Sequence, residues 1–185
     1  MGVVALAEIG DKTQLLAILL AARFRRPIPI VLGIFVATVL NHTLAAFAGN
    51  LAGDLLSAEV LRWVLVVSFL AMAIWTLIPD RMEDEPKSYE RFGAFGATLV
   101  SFFFVEMGDK TQVATVALAA RYHAVLLVAA GTTMGMLIAD VPAVFFGEFA
   151  ARLVPLKWMR IIAAAIFAAL AFAAILDWGG RFLFA

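Results

Sequence analysis

A chain of 185 residues that is 64% apolar and 15% charged, with a mean hydropathy of +1.00, is too apolar for a water-soluble domain, in which about half of the residues are apolar and a quarter charged. Fourteen basic and fourteen acidic side chains cancel, which removes the electrostatic basis for a nucleic-acid partner. The lack of cysteine excludes disulfides, thiolate metal sites and cysteine nucleophiles.

In chain order, hydropathy and breakers give apolar segments at about 1–22, 28–51, 60–78, 92–120, 123–150 and 157–177. At about 20 apolar residues per span, each is predicted to cross a membrane as a helix, with no room left for a two-domain enzyme. No basic stretch with a cleavage site opens the chain, and Leu6 stands where a myristoylation signal needs Ser or Thr, so the first helix is expected to be retained. Between the third and fourth segments, residues 79–91 hold two prolines and eight charges, the composition of a solvated linker.

The two halves repeat. Glu8-Ile9-Gly10-Asp11-Lys12-Thr13-Gln14 recurs as Glu106-Met107-Gly108-Asp109-Lys110-Thr111-Gln112, an offset of 98 residues. The same offset pairs Leu20-Ala21-Ala22-Arg23 with Leu118-Ala119-Ala120-Arg121, Gly33 with Gly131, Gly49 with Gly147, Arg62 with Arg160 and Phe69 with Phe167. The chain therefore reads as a tandem duplication of a three-helix unit, residues 1–78 and 92–185 flanking the linker. Three helices is an odd number, so the second copy enters the membrane from the opposite side. The expected fold is an all-α membrane protein of six transmembrane helices arranged as two inverted three-helix repeats. Nine Lys and Arg residues, Arg160 among them, fall in the loops after helices one, three and five against three on the other side. The positive-inside rule then puts the linker in the cytoplasm and both termini outside it. Trp63, Trp75, Trp158 and Trp178 lie toward segment ends, as an aromatic belt predicts.

A carboxylate near the bilayer centre costs at least ~2.5 to 3.5 kcal/mol on insertion scales, so it persists only if paired, protonated or bound to a cation. Glu106 lies fourteen residues past Phe92, roughly 21 Å along a helix and near mid-membrane. Asp109 is expected on the same helical face, and the repeat brings Glu8 and Asp11 to the matching depth. Four carboxylates about a pseudo-two-fold axis form a hard oxygen cage of the kind that Ca²⁺, Mg²⁺ and Mn²⁺ favour. Thr13 and Thr111 offer hydroxyl oxygens to it, and Gln14 and Gln112 amide oxygens. Gly10 and Gly108 permit either close helix approach or a local break that frees carbonyls for an ion. Lys12 and Lys110 each follow their glutamate by four residues, the spacing of a helical Glu–Lys pair, and would offset half of the carboxylate charge when no ion is present.

Secondary candidates lie on the second and fifth helices, where Asn41 and His42 align with Ala139 and Asp140. His42 reads equally as a titrating group or as a histidine bonded within the bundle. Asp140, two residues before Pro142, sits where the helix ladder is weakened. Glu148, Asp54 and Glu59 lie near helix ends and are expected to be interfacial. Simple Glu–Lys glue between helices asks less than a doubled seven-residue motif supplies. An intramembrane aspartyl protease would need differently framed aspartates, whereas these two sit in identical frames.

The doubled motif resembles that of the Glu-x-Gly-Asp-(Lys/Arg)-(Thr/Ser) membrane family, which includes Golgi manganese and calcium transporters and bacterial manganese exporters, and the resemblance covers essentially the whole chain. It implies secondary transport of Mn²⁺ or Ca²⁺ against protons across the inner membrane, with Glu8, Asp11, Glu106 and Asp109 as the cation site, no permanent cofactor and no enzymatic reaction. Among these ions Mn²⁺ export is favoured by the resemblance to the bacterial members. Only seven residues precede Glu8, so a first helix with a shorter lead than the family's is expected. A channel built on the same carboxylates and a structural membrane subunit are the alternative readings.

Overall fold

A computed structural model describes residues 1–78, 92–147 and 156–176; the linker at 79–91, Glu148 and Trp178 lie outside them. The described residues are helical, with no strand among them. In chain order the helices are α1 (Gly2–Glu8), α2 (Lys12–Phe24), α3 (Pro27–Leu55), α4 (Ala58–Leu77), α5 (Gly93–Glu106), α6 (Lys110–Tyr122), α7 (Val125–Phe146) and α8 (Leu156–Leu176). Three of them, α3, α4 and α7, are long and apolar enough to cross a membrane, and α5 and most of α8 are shorter apolar helices.

Local chemistry sets the boundaries. Pro27 begins α3, where its missing N–H deprives the helix of nothing. The Ser57 hydroxyl accepts from Val60 N at the start of α4, a standard N-cap. Helices α2 and α6 stop in the same way. Arg25 and His123 turn left-handed, with φ of 51° and 49°, and donate their N–H groups to Ala21 and Ala119, closing the last turn by an αL cap. The segments expected as single helices at 1–22 and 92–120 are each broken in two, because Gly10 and Gly108 adopt φ of 80° and 79°, outside the range of a right-handed helix.

Packing centres on α3, whose small residues admit neighbouring backbones closely, as in membrane helix pairs generally. A Cβ at Gly49 would come within 2.2 Å of the Val116 carbonyl oxygen on α6, and one at Gly53 within 2.6 Å of that of Ala120. Gly135 of α7 admits the start of the chain just as closely. One apolar cluster joins Leu61, Leu65 and Met72 of α4 to Ala163 and Ala171 of α8, with Phe69 and Phe167 stacked at 6.4 Å. Another packs Leu16 and Leu20 of α2 on Ile30 and Ile34 of α3, Phe102 of α5 and Val144 of α7. Large apolar side chains such as Phe47, Ile74, Leu126 and Phe172 face outward, as they do in a protein solvated by lipid.

Candidate metal centre

The two motifs form two copies of one local structure. In the first, α1 ends at Glu8, Ile9 is extended, Gly10 takes its positive φ, and Asp11 stands before the first residue of α2. Asp11 N donates to Glu8 O at 3.0 Å, and Gly10 N to Gln14 Oε1 at 2.8 Å. In the second, Asp109 N donates to Glu106 O at 3.0 Å, and Gly108 N to Gln112 Oε1 at 2.7 Å. The amide oxygens of Gln14 and Gln112, offered by the sequence as neutral ligands, are thus committed to stitching the breaks. Gln14 Nε2 further donates to Ala139 O at 3.1 Å. Both aspartates stand at helix N-termini, where exposed N–H groups and the helix dipole favour negative charge.

The breaks bring acidic groups together. Glu8, Asp11 and Asp109, all buried, each place one carboxylate oxygen within 4.8 Å of the others'. Glu8 Oε2 accepts from Thr13 Oγ1 at 2.7 Å, and Asp109 Oδ2 accepts from Thr111 N and Oγ1 at 3.5 and 3.4 Å. The threonines therefore each hold one oxygen of a carboxylate, Oε2 of Glu8 and Oδ2 of Asp109. Among the described residues, Glu8 Oε1 accepts no hydrogen bond, and the Asp109 Oδ1 atom has only an ammonium of the other motif, Lys12 Nζ at 3.0 Å. A buried carboxylate oxygen is rarely left without a partner, and three carboxylates this close repel unless positive charge, from ammonium groups or an ion, offsets them. Hard oxygen donors from three anionic side chains suit a divalent ion such as Mn²⁺ or Ca²⁺.

Glu106, the fourth carboxylate expected in the cage, is buried but bonded elsewhere: its Oε1 accepts from Thr38 Oγ1 at 3.1 Å and its Oε2 from Asn41 Nδ2 at 3.3 Å. Asn41 also donates to the Phe103 carbonyl at 2.9 Å, which ties α3 to the last turn of α5. His42 and Asp140 are both buried, and neither ring nitrogen of His42 and neither oxygen of Asp140 has a hydrogen-bond partner among the described residues. The described residues therefore supply no partner for His42 as a histidine bonded within the bundle. Asp54, expected at an interface, lies exposed in the last turn of α3, 3.2 Å from His123 Nδ1.

The lysines depart most from expectation. Lys12 does not pair with Glu8 but lies 3.0 Å from Asp109 Oδ1, and Lys110 pairs with Asp11. Each reaches the aspartate of the other motif because the break destroys the i, i+4 phase on which the helical pairing rests. The sequence reading also missed Thr38 and Arg160. Arg160, counted among the loop charges, lies in α8 and donates from Nη2 to the Gly10 carbonyl at 3.2 Å, so that this carbonyl already faces a guanidinium. The pairing of Arg62 with Arg160 across the repeat was the available signal that this position serves the fold.

Known proteins agree with this chemistry. The family described as divalent cation/proton antiporter GDT1 matches residues 1–84 and 94–180. A protein of Vibrio cholerae serotype O1 named "Putative manganese exporter" is 53% identical over 171 residues, which span 92% of this chain and 85% of that protein. The "GDT1-like protein sll0615" of Synechocystis is 30% identical over 186 residues, 89% of this chain and 88% of that protein. No solved structure matches significantly. With both motifs and, apart from Gly93 at the start of α5, all eight described helices inside the matched residues, the chain belongs to the divalent cation/proton antiporter family.

Proposed function

We propose that the protein exports Mn²⁺ from the cytoplasm in exchange for protons, with Glu8, Asp11 and Asp109 as the ion's ligands and Glu106 as a fourth acidic group engaged when the site opens to the other side. The observation that carries this reading is the meeting of three buried carboxylates from both motifs within 4.8 Å. The printed name of the 53% identical relative supports Mn²⁺, and the family description supports the proton. Repulsion among the carboxylates favours proton uptake once the ion leaves, which is how a proton gradient drives the return.

Two reciprocal contacts support an arrangement of two inverted three-helix repeats, 1–78 and 92–185. Lys12 meets Asp109 while Lys110 meets Asp11, and Phe69 stacks on its own repeat equivalent Phe167. Such reciprocity is what a two-fold axis between the halves produces, and rocking of one half against the other would alternate access to a site between them. The surplus of Lys and Arg in the loops after helices one, three and five persists when Arg160 is set aside. It supports an inner-membrane orientation with the linker in the cytoplasm and both termini outside. Asn41, bonded to Glu106 from α3, and the buried Asp140 of α7, next to the Ala139 carbonyl that accepts from Gln14, serve as supporting polar groups.

The test is Mn²⁺ and Ca²⁺ flux into proteoliposomes loaded with a pH-sensitive dye, with and without an imposed proton gradient. Saturable Mn²⁺ uptake matched by proton movement is expected, with Asp109→Asn abolishing it at normal expression. Flux of neither ion, together with no rise in melting temperature on adding either, would make the carboxylates purely structural. Unsaturable flux without proton movement would make the protein a channel.

A further inference from the structure

Resting on the cation site just described, the crossed ion pairs carry a second function. The Lys12 ammonium lies 3.0 Å from Oδ1 of Asp109, a residue of the three-carboxylate cluster, and no other described group donates a hydrogen bond to that oxygen. An ammonium and a divalent ion compete for such an oxygen, since both neutralise it and they cannot occupy the same space. The two lysines differ in freedom. The side chain of Lys110 is 4% exposed, whereas that of Lys12 is 26% exposed. Lys12 is therefore the less confined ammonium, which can swing away from Asp109 on its four-carbon stem without rearrangement of the bundle.

We propose that Lys12 is a tethered counter-ion that the transported cation displaces from Asp109, and that it reoccupies Asp109 as the ion departs. Bound to the empty cluster, it holds Asp109 in place and offsets one of three negative charges. Displaced, it leaves the oxygen to the metal. Its effect is to weaken equilibrium binding and to speed release, which a carrier needs because an ion held too tightly is not delivered. Lys12 is a positioning residue in this scheme and touches the carboxylate rather than the ion.

The experiment is Mn²⁺ binding to the purified full chain, by equilibrium titration and by the rate of Mn²⁺ release into chelator, for wild type, Lys12→Met, Lys12→Arg and Asp109→Asn. Lys12→Met is expected to bind Mn²⁺ about tenfold more tightly and to release it correspondingly more slowly, whereas Lys12→Arg stays near wild type. A structural role would give the opposite sign, with weaker binding in Lys12→Met. Unchanged or weaker binding there, beside normal wild-type binding and its loss in Asp109→Asn, overturns the counter-ion and leaves the cation site standing. Absence of saturable binding in wild type overturns both. If Lys12→Met does not fold, acylation of the wild-type chain read by mass spectrometry decides. Modification of Lys12 is expected to rise on adding Mn²⁺, and an unchanged or lower yield overturns the proposal.

Discussion

The break between α1 and α2 and the break between α5 and α6 share a backbone but not a chemistry. Their glycines differ by 1° in φ, their glutamines make the same bond back to the glycine N–H, and their aspartates open the next helix in the same extended conformation. Yet Glu8 points one oxygen into the carboxylate cluster, while Glu106 spends both on Thr38 and Asn41 of α3. The difference comes from the crossing helices. Across the repeat, Asn41 and His42 of α3 correspond to Ala139 and Asp140 of α7, so that one glutamate meets an amide donor where the other has a methyl group. A duplicated motif fixes where acidic groups stand, and its less similar surroundings decide which of them are available to an ion.

The comparison breaks most directly at the glutamates themselves. Glu8→Gln removes a cluster oxygen and is expected to weaken Mn²⁺ binding by at least about 100-fold, beyond the 10- to 100-fold typical of losing an outer partner of a metal site. Glu106→Gln, outside the cluster, is expected to leave equilibrium binding within about tenfold of wild type while stopping transport. Titration beside proteoliposome flux reads both. Equal losses of binding would mean that the two halves are chemically equivalent after all.

A smaller effect sharpens the same contrast on α3. Asn41→Ala leaves the buried Glu106 carboxylate and the Phe103 carbonyl each short of a donor, a cost of about 1 to 3 kcal/mol. It should appear as a lower melting temperature, with Mn²⁺ binding at the Glu8 cluster retained. Loss of binding at unchanged stability would place Asn41 in the ion site instead.

Much of this arrangement is legible in the sequence because it depends on short-range signals. The doubled motif, the apolar stretches that become α3, α4, α7 and α8, and the selection of Glu8, Asp11, Glu106 and Asp109, three of which the structure brings together, all follow from hydropathy, from periodicity and from the cost of a charge in lipid. What misleads is the assumption of an unbroken helix. With a continuous helix through Gly10, Lys12 falls on Glu8 and Gln14 extends the acidic face; with Gly10 at φ 80° the phase is lost, Lys12 swings to Asp109 and Gln14 turns back on the break. The sequence allows a break at these glycines but does not choose it over close packing. Thr38 and Arg160 are illegible for a different reason, since their partners Glu106 and Gly10 lie 68 and 150 residues away.

The smallest expected effect concerns those glycines. Alanine at Gly108 would meet nothing within 4 Å, so its cost is that of forcing an L residue into the left-handed region, about 1 to 2 kcal/mol. Alanine at Gly10 carries the same backbone cost, but the Gly10 carbonyl also accepts from Arg160. Strain that rotates this peptide weakens a bond to a charged donor as well. Gly10→Ala should therefore destabilise more than Gly108→Ala, and the excess should vanish in a background of Arg160→Ala, where the carbonyl has already lost its donor. Thermal melts of the four variants form a double-mutant cycle. A coupling of about 0.5 kcal/mol or more is the range seen for residues in contact, and it would show that α8 braces the first break. Simple additivity would mean that the break holds its shape by glycine conformation and the Gln14 stitch alone, and that the two halves are as alike in energy as they are in backbone.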